Sequence, residues 1–293
     1  MHRPVVIRGL ALSVILMNPT MIAHLLKKYE ADLLYTYGTV DAGINYSQPQ
    51  VNLRRFNKNA SFFELRLPVS FVNQNSTGIS TSAIGDIFAT CNGSLSIKNK
   101  LIKFSIGMRV SFSNANFGND VVTYSYPMSL QPGLGTTDLL AAANYDFCKY
   151  LSVAAGVQVP VIQYNKNIGM GLNPDGTEGD FLVNNFRRQP DAMLKLTGHY
   201  RTRKLMMNAG LISIFHLSDD YYNATSGTTA IEGNYYLENS YGIYLNVNAS
   251  LSYIVNNRVN LGLLYSQSLV SPANNAAGLA RNWIITPKVT YNF

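Results

Sequence analysis

Between Leu101 and Ser113 the chain alternates without a break. Ile102, Phe104, Ile106, Met108, Val110 and Phe112 fall on one face of an extended strand, and Lys103, Ser105, Gly107, Arg109, Ser111 and Ser113 fall on the other, because strand side chains alternate with period two. A half-buried strand of a soluble sheet shows the same alternation, so length has to separate the two cases. Soluble strands run about 5–6 residues, whereas a strand crossing a bilayer at a tilt needs roughly 9–11. This stretch is long enough to cross.

The rhythm recurs along the chain. Strands are predicted over 83–97, 101–113, 134–147, 151–164, 189–201, 204–217, 240–255, 258–270 and 281–293, with three more between residues 29 and 72. Residues 54–61 read as a polar turn and 73–82 as a loop rich in Gly, Ser, Thr and Asn. From residue 114 onward long loops (114–133, 165–188, 218–239, 271–280) alternate with tight turns at 148–150, 202–203 and 256–257. The fold expected is all-β: an antiparallel up-and-down transmembrane β-barrel of about twelve strands, an even number that leaves both termini on one side. Short turns then face the periplasm and long loops the exterior. Bases such as Arg54, Arg55, Lys100 and Arg203 are assigned to the short-turn side, and acids such as Asp219 and Asp220 to the long loops.

Composition fits that class. Charged residues are 13%, about half the roughly 25% usual in soluble domains. Tyr and Phe number 19 and 13 against one Trp, and no segment approaches the ~18 unbroken apolar residues of a membrane helix. The net charge of +7 is scattered over turns rather than gathered in a stripe with stacking aromatics, which argues against nucleic acid.

The two ends carry their own signals. Residues 1–23 form a candidate export signal: His2, Arg3 and Arg8 precede the apolar run Gly9–Met17, with Ala23 just before a cleavage point. Met21 occupies the place where a second small residue is expected, and a misassigned start or a short core helix are the other readings. Residues 24–293 are assigned to the barrel. At the far end Trp283, Ile285, Val289, Tyr291 and Phe293 share one face. Tyr291 and Phe293 form the candidate signal for the barrel-assembly machinery, which reads a terminal aromatic preceded by alternating hydrophobics.

Two glycine motifs carry a resemblance. Ser82-Ala83-Ile84-Gly85-Asp86-Ile87 opens one strand and Gln131-Pro132-Gly133-Leu134-Gly135-Thr136-Thr137-Asp138 opens another. Together they resemble the outer-membrane transporter family labelled "MetA-pathway of phenol degradation", whose members carry Ser-Gly-Leu-Gly-Asp-like and Pro-Gly-x-Gly-x-x-Asp-like motifs at strand starts. Ala83 stands where that family has its first glycine. The resemblance spans roughly residues 29–293 in strand order and implies a transport or channel role, with hydrophobic small molecules as the suspected cargo. Read from the residues alone, the glycines let a strand bend at a barrel rim, and Asp86 and Asp138 project inward to clamp loop backbone or arginines.

Catalytic and metal chemistry find little support. Of the four histidines only His199 and His216 lie in predicted strands, without a nucleophile motif around them, so no enzyme is expected. Cys91 and Cys148 lack metal-ligand spacing and are expected as buried free thiols. Asp175, Glu178 and Asp180 resemble a calcium loop only in composition, and a solvated external loop is the plainer reading, with weak Ca²⁺ bridging to lipopolysaccharide as the alternative. No cofactor or metal is assigned; the expected partners are outer-membrane lipid, lipopolysaccharide, the assembly machinery and an unidentified small solute.

The candidate functional residues line the lumen: Glu64, Arg66, Asp86, Lys103, Arg109, Asp138, Asp146, Lys195, His199 and Lys288. Mixed signs on one inward face favour pairing across the lumen over a single-sign ring, with Lys103, Arg109 and Arg66 opposing Glu64, Asp86 and Asp146 at a constriction. The expected role is a passive channel for small molecules; its rival is a non-conducting surface adhesin or scaffold, which a lumen sealed by those pairs would favour.

Overall fold

The computed structural model describes residues 5–6, 15–16, 29–40, 43–57, 61–97, 100–118, 125–126, 128–172, 178–226, 234–272 and 281–293. Twelve strands among them form the wall: β1 Tyr29–Val40, β2 Ile44–Phe56, β3 Phe62–Gln74, β4 Ile87–Ile97, β5 Lys100–Val110, β6 Thr136–Cys148, β7 Leu151–Gln163, β8 Asp191–Arg201, β9 Leu205–His216, β10 Gly242–Ile254, β11 Val259–Val270 and β12 Arg281–Asn292. Each pairs antiparallel with its chain neighbour, and β12 pairs with β1 to close the sheet. Strands of 11–13 residues, tilted as barrel strands are, span roughly 30 Å.

Alternation explains why the sheet curls with these faces outward. Along β3, Glu64, Arg66, Pro68 and Ser70 are buried, while Phe63, Leu67, Val69 and Phe71 are exposed. Along β5, Lys103, Ser105 and Arg109 are buried, and Ile106 and Met108 are exposed. An apolar outer face around a polar interior is the arrangement of a transmembrane barrel. Outward aromatics gather beside the short turns: Tyr29, Phe147, Tyr150, Tyr200, Tyr253 and Tyr291 are all exposed near strand ends on that side. They make the interfacial girdle of such barrels.

Four expectations change. Residues 73–82 are not a loop: β3 runs to Gln74, turns through Gly78 at φ +71°, and returns as a strand over Ile79–Ile84. The chain then steps inward at Gly85, whose N–H donates to the Pro68 carbonyl at 3.0 Å. A Cβ there would stand 2.6 Å from Ser70 Oγ. Secondly, 54–61 is not wholly a turn, because β2 continues to Phe56 and Arg54 lies inside the barrel at 2% exposure. Thirdly, Cys91 and Cys148 are exposed rather than buried. Cys91 sits between inward Thr90 and Asn92, so strand alternation turns it toward lipid.

The fourth concerns the long loops, which are folded. Ile168–Leu172 pairs with Glu178–Arg187, which pairs with Tyr221–Ser226, which pairs with Tyr235–Tyr236. Ala115, Met128, Leu134, Val183, Phe186 and Tyr222 bury one apolar core between this sheet and the segment before β6. Residues 173–177, including Asp175, lie outside the described residues, as do most of residues 1–28 with the candidate export signal.

Candidate functional site: the barrel lumen

The inward side chains divide the lumen into two unlike walls. Charge concentrates on β1–β6 and the start of β8. Arg54 on β2 binds Glu30 and reaches Asp32 at 2.7 Å, both on β1, with Glu64 of β3 at 3.4 Å. Arg66 donates to Glu64 on its own strand at 2.8 and 3.0 Å and lies 5.7 Å from the Phe88 ring centroid. Lys103 meets Asp146 on neighbouring β6 at 2.5 Å. Arg109 binds Asp138, also on β6, and stands 3.6 Å from Asp86.

These pairs run sideways along the wall, not across the bore as expected. The reason is register: Arg109 lies opposite Asp138 on the adjacent strand and Arg54 opposite Glu30, and such neighbours are about 4.5–5.5 Å apart at Cβ. The charged groups are also nearly sealed. Asp32 and Asp138 are 0% exposed, Glu64 and Arg66 1%, and Lys103 and Arg109 2%. Buried charges persist when paired and hydrogen-bonded; each of these guanidiniums and carboxylates has an ion-pair partner within the wall, while Arg54 Nε, Arg66 Nη1, Arg109 Nε and Asp138 Oδ1 make no hydrogen bond.

Of the remaining predicted lumen residues, Lys195 is buried on β8, and Lys288 on β12 is half-buried at 3.6 Å from Asp32. His199 joins a chain of hydrogen bonds crossing four strands. Its Nε2 meets Ser152 Oγ at 2.8 Å, its Nδ1 meets Asn208 Oδ1 at 2.9 Å, and Asn208 Nδ2 donates to Ser250 Oγ at 2.9 Å. Ser–His–Asn order resembles a hydrolytic triad. Ser152 is however only 2% exposed, and its strand is paired on both edges, which commits backbone N–H groups that an oxyanion would need. The chain is a structural belt.

A second charged cluster, missed in the sequence, closes the upper end. Arg188 binds Asp191 and reaches Asp138 at 3.4 Å; His216 lies 2.7 Å from Asp191 and 2.9 Å from Asp220. Gln158 donates to Asp138. Asp220, assigned from the sequence to a long loop, is 1% exposed and also accepts the Gln189 N–H at 2.8 Å. Asp219 beside it accepts the N–H groups of Ser240 and Tyr241 at 2.9 and 3.0 Å. Arg188 followed three residues later by Asp191 was the one local signal, weak because the decisive partners are far away in sequence.

The two glycine motifs meet at this end. The Leu134 N–H donates to Asp86 Oδ1 at 3.4 Å, so each motif supplies one partner. A Cβ on Gly133 would stand 2.5 Å from Ser111 Oγ and 2.7 Å from Asp86 Oδ1, and Gly135 holds φ at +65°, where glycine is strain-free. The motifs thus tuck residues 131–135, all buried, into the mouth. Above them Tyr222 Oη donates to Asn167 Oδ1 at 3.2 Å. Burial pushes the Tyr222 phenol up to about 12.

The opposite wall is different. Inward positions of β9–β11 carry Asn208, Asn246, Asn248, Ser250, Ser252, Asn260, Ser266 and Ser268, all half-buried rather than sealed. Gly210 pairs with Asn248 and Gly262 with Ser252. Apolar inward groups interrupt the polar run at half-buried Met206, Ile254 and Leu264, and higher on this wall Met193, Ile212, Ile214 and Tyr244 pack together. Across β12, whose inward Thr286 is buried, half-buried Thr36 and Gln48 pair on β1 and β2.

No protein-family model matches the chain, and no curated protein matches it. Solved structures do. An outer membrane channel from Pseudomonas putida F1 is 12% identical, with a TM-score of 0.61 over 91% of this chain and 96% of that one. The NanC porin is 10% identical with a TM-score of 0.47 over 90% and 100%, and the P. putida toluene transporter TodX 12% identical at 0.45 over 94% and 92%. At these identities the likeness is one of fold. The chain is a closed twelve-stranded barrel of the outer-membrane type.

Proposed function

We propose that the protein is a passive channel for small solutes across the bacterial outer membrane. The observation that carries the reading is the half-buried, largely polar strip along the inward positions of β9–β11. A barrel serving only as a scaffold has no use for an unsealed side to an otherwise packed interior. The two glycine motifs, resembling those of a transporter family, support the same reading. Single-channel recording of the purified protein in a planar bilayer tests it, together with solute entry into liposomes. Discrete current steps and solute entry are expected.

One observation favours a second reading, a non-conducting surface scaffold. Residues 131–135 and the folded loops fill much of the extracellular mouth. Absence of both current and solute entry would give that reading the lead.

A further inference from the structure

We infer that the conducting path is one-sided and that it favours neutral, hydrogen-bonding solutes, such as small polyols or sugars, over ions and hydrocarbons. The inference rests on the channel reading and adds its substrate class. Ion-selective pores expose rings of like charge to the path. Here the inward charged side chains of β1–β6 are paired with one another and, apart from half-buried Asp146, withdrawn from the accessible surface, with Glu64, Arg66 and Arg109 at 1–2% exposure. Among the described residues, the half-buried inward positions of β9–β11 carry no charged side chain. Two cations border that strip: Lys195, buried opposite Ile212 of β9, and Lys288, whose stem passes Gly262 at 3.4–3.5 Å from where a Cβ would be and whose ammonium lies near Asp32.

Besides Met206, Ile254 and Leu264, the strip offers amides and hydroxyls. Both groups donate and accept, so they exchange hydrogen bonds with a hydroxylated solute at each step as water would. Asn248 stands midway along it, opposite Ser266 on β11 and Gly210 on β9. Its Nδ2 is a buried donor without a protein acceptor. An ion on the same path loses hydration against a wall that returns no full charge, and desolvation of a charge is costly. A hydrocarbon would have to strip water from the amides without replacing their hydrogen bonds, which is also unfavourable.

The experiment compares entry of glucose, gluconate and glucosamine, three solutes of similar size and different charge, into liposomes holding the full chain. Reversal potentials are measured in a potassium chloride gradient across a planar bilayer. Glucose should enter several-fold faster than either ion, and the reversal potential should lie near zero. Asn248→Asp should move it toward the potassium potential, while Arg109→Gln, altering the sealed wall, should not. Ser266→Asp is the second probe should Asn248→Asp fail to give the folded, heat-modifiable form. Gluconate or glucosamine entering as fast as glucose overturns the inference while leaving the channel standing. So does a reversal potential that responds to Arg109→Gln and to neither aspartate. No current and no entry of any solute overturns the channel reading, and this inference with it.

Discussion

Gly107 shows how little freedom one inward position leaves. Facing alone would make it the tolerant neighbour of Ile106 and Met108, open to a long polar side chain. A Cβ there would stand 2.3 Å from the Ala89 carbonyl and 2.9 Å from Thr90 Cα, so even Gly107→Ala must displace backbone. Ser105, one step along the same face, is the better inward probe. Ser105→Lys should retain more folded barrel than Ile106→Arg, because an arginine facing lipid near the midplane costs about 2–4 kcal/mol. Gly107→Ala should fold worse than Ser105→Ala. The fraction migrating in the compact form on unboiled gels reads both, and equal yields would refute the assigned faces. Arg54 sets a second residue-scale test. Arg54→Met removes the guanidinium that Glu30, Asp32 and Glu64 share, leaving Glu64 to Arg66 and Asp32 to Lys288, and breaking such a buried pair costs about 3–5 kcal/mol. The denaturation midpoint should fall accordingly, and Arg55→Met, exposed one residue away, should leave it unchanged.

At the scale of elements, Gly133 decides whether the segment before β6 can enter the mouth. Gly133→Val would push against Ser111 and Asp86 and release the tucked residues, so single-channel conductance should rise. An unchanged conductance in a folded variant would show that the segment does not restrict the path. Nearly every wall strand was legible in the sequence, because a long period-two alternation leaves one way to bury polar and expose apolar groups. The return strand Ile79–Ile84 was not, since Ser and Thr dominate it and its partner is the outer half of β3. Nor were the cap strands: they are short, and Glu178–Arg187 finds Tyr221–Ser226 across β8 and β9, a pairing that no local pattern encodes. The lumen residues were legible as a facing and not as a network. Alternation says that Arg109 and Asp138 point inward, while only register says that they touch.

Taken whole, the molecule is a barrel with a small folded cap, and the two should come apart separately. Phe186 is fully buried in the cap core against Tyr222, ring centroids 5.4 Å apart. Phe186→Ala should cost the cap about 3–5 kcal/mol and expose it to external protease, while the barrel keeps its heat-modifiable migration. Loss of both together would show that the cap is integral to the wall. The wall has its own peculiarity of connection. Every neighbouring pair of strands is also a neighbour in sequence except at one place, where Glu30 meets Asn292 and Tyr37 meets Ile285. Assembly can therefore proceed as the local growth of an open sheet, each hairpin adding to the last, with one distant event at the end. Until that seam forms, β1 and β12 present unpaired backbone that a hydrocarbon interior does not tolerate. The slow step in making this protein should be the zipping of its first strand to its last, and a substitution that weakens that seam should trap an open sheet rather than a loosened barrel.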